Sequence, residues 1–200
     1  MMNINLAMRT LILAAAMPIV IVTTGCEVFQ TDQQHAAQVS ALDATLRQGY
    51  SLLYATLKDE SQVDKVLILK DPNPQVESLL KEIAKLTSDG QVALDGFAKV
   101  DATLDLKRQD LPELESTTRA LISSATSKQV LFSGGREFEF TILLTQHQAL
   151  NYITHLATAI SDRETLAHRK KAMQKLSADA DALHTRVITL MKTPYVGAAK

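Results

Sequence analysis

The sequence predicts an all-α fold: an elongated up-down helical bundle of four main helices, or five if the chain reverses at 133–135. Three observations predict it. Apolar residues return at alternating steps of three and four along most of the chain, which marks helices packed by one face. The composition favours helix, with abundant Ala, Leu, Gln and Lys, no tryptophan and only 7 glycines in 200 residues. Helix-start signals also precede the apolar runs.

The first helix carries Val39, Leu42, Leu46, Gly49, Leu53 and Thr56 on its stripe, and Thr31-Asp32-Gln33-Gln34 reads as a capping box at its start. Asp59-Glu60-Ser61-Gln62 breaks or kinks it, leaving Val63 to Leu69 as a short apolar addition. Asn73-Pro74 places a cap before a proline at the first helical position of the second helix. Its stripe runs Val76, Leu79, Ile83, Leu86, Gly90, Ala93, Phe97, Val100, Leu104 without a missed step.

Asp110-Leu111-Pro112-Glu113 repeats the cap-and-proline pattern. One heptad phase then runs through Leu114, Thr117, Leu121, Ser124, Lys128, Leu131, Gly135 and Phe138, and on through Ile142, Thr145, Ala149, Tyr152, Leu156 and Ala159. Continuity of phase favours one long or kinked helix across Ser133-Gly134-Gly135, hence four main helices. The adjacent glycines, each about 1 kcal/mol worse than alanine inside a helix, favour a break and hence five. Ser161-Asp162-Arg163-Glu164 reads as the capping box of the last helix, whose stripe is Leu166, Arg169, Met173, Leu176, Ala180, Leu183, Val187 and Leu190. Thr193-Pro194 and Gly197 end it. Leu80, Leu94, Leu143, Leu150 and Ile153 lie beside the stripes and widen them to the face of a bundle. Helices of roughly 30 residues would be about 45 Å long.

The N-terminal residues read as an address. Met1 to Arg9 is a short polar start, and Leu11 to Val22 is an apolar run interrupted only by Pro18. That run is shorter than the roughly 20 residues a membrane-crossing helix needs, and it suits an export signal. Thr23, Thr24 and Gly25 then precede Cys26, the one cysteine in the chain. This arrangement resembles the lipobox of bacterial lipoproteins, although Thr23 stands where a Leu-like residue is typical. The resemblance implies acylation of the Cys26 sulfur and cleavage before it. Because Glu27 is not Asp, it also implies an outer-membrane destination, facing the periplasm. The chain accordingly divides into a signal peptide (1–25), a lipidated tether (26–33), a helical bundle domain (34–193) and a C-terminal tail (194–200). Lys200 at the end of that tail resembles the C-terminal lysine of murein lipoprotein, which implies attachment to peptidoglycan.

Composition narrows the function. Twenty-one basic against 22 acidic residues give a formal net charge of −1, so no concentrated basic face is available for nucleic acid. No Glu-x-x-His pair of the di-iron type occurs, and Asp181-x-x-His184 is a single pair. The C-x-x-C-H motif of covalent haem, the Gly-x-Ser-x-Gly elbow and a phosphate loop are all missing from the sequence. The expectation is a non-catalytic protein without a cofactor, its partners being the membrane through the N-terminal lipid and another envelope protein or peptidoglycan. The alternative is a carrier of a small ligand, metal or haem inside the bundle, with His155 and His184, each flanking its stripe, meeting across helices. His147 faces away from the stripe. The segment following Arg136-Glu137-Phe138-Glu139-Phe140 puts polar atoms of Thr145, Gln146 and Tyr152 on or beside the inward face. There each needs a partner or a water. These three, with His155 and His184, are the candidate pocket or partner surface.

Overall fold

A computed structural model describes residues 27–192, with side chains from 43 onward. The signal segment, Cys26 and the tail to Lys200 lie outside the described residues. By internal contacts the chain divides into Met1–Gln38 and Val39–Lys200. Of the first unit, the described residues are helical, including 27–33, which the sequence reading assigned to a tether.

The element order is α1 (Glu27–Glu60), a 3₁₀ segment (Val63–Ile68), α2 (Pro74–Val100), α3 (Glu113–Phe132), α4 (Gly135–Arg163) and α5 (Ala167–Lys192). Among the described residues there are therefore five α-helices, and the continuous helix expected across 133–135 is broken. Ser133 and Gly134 are extended, and Gly135 opens α4 at φ +54°, a conformation that glycine adopts without strain. The chain reverses there: Val130 and Thr126 of α3 line the same cavity as Ile142 and Thr145 of α4. Lys70 clamps the turn by donating from Nζ to the carbonyls of Leu131 at 2.8 Å and Ser133 at 2.5 Å. A cation on these carbonyls satisfies acceptors that the end of a helix leaves open.

Because the turn separates two independent helices, the heptad phase does not carry through it. The fully buried line of α4 is Leu143, Gln146, Leu150, Ile153, Ala157 and Ile160, one position beyond the predicted stripe. Thr145, Ala149, Tyr152, Leu156 and Ala159 are only half-buried. On α3, Val130 is the sole buried residue, while Leu114 and Leu121, both predicted inward, are exposed. The α2 and α5 stripes hold within the helices but not at their ends: Val100 and Leu166 are exposed, Leu166 precedes α5, and Leu104, though buried, lies beyond the end of α2. Val76, Leu79 and Ile83 on one, and Met173, Leu176, Ala180 and Val187 on the other, meet Tyr50, Leu53 and Leu57 of α1 in the core. Each large side chain buried this way contributes about 1.5–3 kcal/mol.

The ends of the helices correct three further expectations. Asn73 caps α2 as predicted, its Oδ1 accepting from the amides of Gln75 and Val76. Pro112, by contrast, is itself the N-cap of α3. Thr31–Gln34 lies inside α1 rather than at its start. Ser161 is buried in the last turn of α4, donating to the Thr158 carbonyl, and Glu164 is the C-cap of that helix. Glu164 is held there by Tyr50, whose hydroxyl donates to it at 2.6 Å, and by the Leu166 amide at 2.8 Å. At the same end Arg169, the charged member of the α5 stripe, is buried. It pairs with Asp101 at 2.9 Å and lies over the Phe97 ring.

Candidate functional site

The break after α1 builds a cleft. With α1 stopped at Glu60, the chain turns aside and lays Val63, Val66 and Leu69 along one wall. α3, returning antiparallel to α4, forms the opposite wall with Ile122, Thr126 and Val130, while Ile142, Thr145 and Gln146 of α4 close the base. The cleft is open to solvent, with a volume of about 600 Å³, within the range of small-molecule sites. Asp59, Gln62, Ser123 and Ser127 continue the cleft into a more polar depression.

Glu60 and Gln146 make the polar floor. Gln146 is 1% exposed, and its Nε2 donates to Oε2 of Glu60 at 2.8 Å, while its Oε1 has no partner. Burial pushes the Glu60 carboxyl up to about 7; the Gln146 bond pulls it down, and the neighbouring Asp59 charge pushes it further up. Asp59 is itself raised by burial, against the pull of Lys58. Also on the lining, Arg119 donates to Glu115 at 2.7 Å, with Tyr152 near it.

The five predicted site residues thus separate. Thr145 and Gln146 line the cleft, although the Thr145 hydroxyl is spent on its own helix, donating to the Ile142 carbonyl at 2.8 Å. Tyr152 is half-buried and does not line the cleft, although it lies near Arg119, which does. His184 lies away from the cleft and meets His147, not His155. Its Nε2 is 2.7 Å from His147 Nδ1, with the rings stacked at 4.6 Å between centroids. One imidazole donates to the other, which occupies both facing nitrogens. Burial first, then the His147 and His155 charges, hold His184 below the usual imidazole range, with Asp181 acting the other way. His155 itself is exposed. Among the described residues no group of three or more His, Cys, Asp or Glu is placed to hold a metal ion.

Sequence reading missed Glu60, Arg119 and the part played by the 3₁₀ segment. A signal for Glu60 was present: one further step of four after Leu53 and Thr56 puts this carboxylate on the inward stripe of α1.

No protein-family model matches the chain, and no curated protein matches it. Among solved structures it is similar to one titled "putative secreted protein DUF305" from Streptomyces coelicolor. The TM-score is 0.59 at 15% identity, over 74% of this chain and 91% of that one. The likeness is one of fold. The chain is an all-helical bundle, as that protein is.

Proposed function

We propose that the protein is an exported lipoprotein, anchored through Cys26 in the outer membrane and facing the periplasm, that binds a small apolar molecule non-catalytically in the cleft between α3 and α4. The single observation that carries the binding role is the cleft itself: about 600 Å³, its lining mainly apolar by area through Val63, Val66, Ile122, Val130 and Ile142, with Glu60 and Gln146 paired in it and Asp59, Lys65 and Arg119 also on the lining. A site of that size, mostly apolar with a few convergent polar groups, has the make-up of a ligand pocket. The anchor is supported by the lone cysteine behind an apolar run too short to span a bilayer. Among the described residues no helix is long and apolar enough to cross a membrane, so attachment would rest on the acyl chains, which contribute about 0.8 kcal/mol per buried methylene.

Titration of the purified protein with N-phenyl-1-naphthylamine, a neutral apolar fluorophore, tests the cleft. Saturable 1:1 uptake is expected. In Ile122→Trp, which places an indole in the opening from an exposed position, uptake should weaken about tenfold or more. Equal uptake by the variant would remove the cleft from the account. Cell fractionation of Cys26→Ser tests the anchor, because the substituted protein should leave the membrane fraction.

A further inference from the structure

The geometry points to an occupant of one chemical class: a cationic amphiphile whose ammonium sits against Glu60 and whose apolar body lies along Val63, Val66, Ile122 and Val130. This rests on the binding reading above and adds the sign of the charge.

Three observations carry it. First, Glu60 lines the cleft with one hydrogen-bond partner, the Gln146 amide, and among the described residues it makes no ion pair. Glu60 is half-buried; a carboxylate partly withdrawn from water without a counter-ion loses part of its hydration, and an arriving cation offsets that loss. Second, the charged groups facing it leave the place open. Asp59 on α1 adds a second negative charge; Arg119 on α3 is held by Glu115; Lys65 on the 3₁₀ segment lines the cleft without pairing to Glu60; and α4 contributes only Thr145 and Gln146 at this point. Third, the Oε1 of Gln146 is buried and has no partner. An ammonium carries three donors, enough for the carboxylate and for this second acceptor on the same amide. A hydroxyl has one donor and leaves the charge unmet. An anion would meet Asp59 and Glu60 together.

Isothermal titration of the full chain at pH 8 with n-octylammonium, n-octanol and n-octanoate separates the possibilities, since the three share one apolar body. Octylammonium should bind at least about tenfold more tightly than octanol, with octanoate undetectable. Equal binding of octylammonium and octanol would overturn the cationic assignment while leaving the apolar cleft intact; failure of all three to bind would overturn both. Glu60→Gln should erase the preference, so that the variant binds octylammonium no more tightly than it binds octanol. Should that variant not fold, the unmodified protein at pH 5.5 gives the same reading. There protonation of Glu60 should abolish the preference for the ammonium, and a preference that persists would overturn the proposal.

Discussion

Glu60 ends a 34-residue helix with its carboxylate half-buried on the Gln146 amide, and its titration should be visible in the stability of the whole protein. Its folded-state value lies above the ordinary one, so the penalty is absent below about pH 4.5, where the group is protonated in both states. It develops as pH rises and is complete above about 7. Glu60→Gln should therefore raise the melting temperature at pH 8, by about 1–3 kcal/mol in stability terms, and change little at pH 4.5. Thermal melts at the two pH values check this. The histidine pair works in the opposite direction. His184 is held below its ordinary range, so stability is full above the unfolded value near 6.5 and falls as pH drops through the folded one. His184→Phe, read in the same melts, should flatten the decline below pH 6.5 and leave the behaviour above it unchanged. The two residues differed in legibility. Glu60 could be found by extending the α1 stripe one step, whereas the His147–His184 contact depends on the rotation of α4, which the sequence reading set one residue off.

At the scale of elements, two glycines of α2 make a matched test. A Cβ added at Gly96 meets nothing within 4 Å, whereas one at Gly90 comes within 3.1 Å of Leu57 Cδ1 and 3.5 Å of Leu176 Cδ1. Gly96→Ala should gain about 1 kcal/mol from helix propensity, or roughly 2–4 °C in melting temperature. Gly90→Ala should show no gain or a loss, because Leu57 is fully buried and has little room to yield. Both outcomes are read from thermal melts. The same contrast explains which helices were legible. α2 and α5 face the core over most of their length, so their apolar spacing reports burial directly. α3 has equally regular spacing at Leu114 and Leu121, yet both are exposed. Periodicity says that a face exists and not that anything covers it. The phase in α4 was lost for a related reason: a stripe extended through Gly134 and Gly135 imposes one helix's rotation on its neighbour.

Over the whole second unit, stability is concentrated in α1, α2, α4 and α5. Tyr50, Leu53, Leu80, Leu143, Ile153 and Met173 are all at most 1% exposed, and the Tyr50–Glu164 and Arg169–Asp101 contacts secure one end. α3 contributes Val130. Amides of α3 should therefore exchange with deuterium well before those of α4 and α5, through local opening rather than global unfolding. A ligand that bridges Ile122 and Glu60 should slow that exchange. Hydrogen exchange followed by mass spectrometry, with and without n-octylammonium, measures both effects.

The Lys70 clamp decides how that opening proceeds. With the carbonyls of Leu131 and Ser133 pinned by one ammonium, the third helix is fastened at its far edge like a door on its jamb. Release should therefore start at the Glu113 end, and cutting the latch with Lys70→Met should speed deuterium uptake at the Phe132 end most.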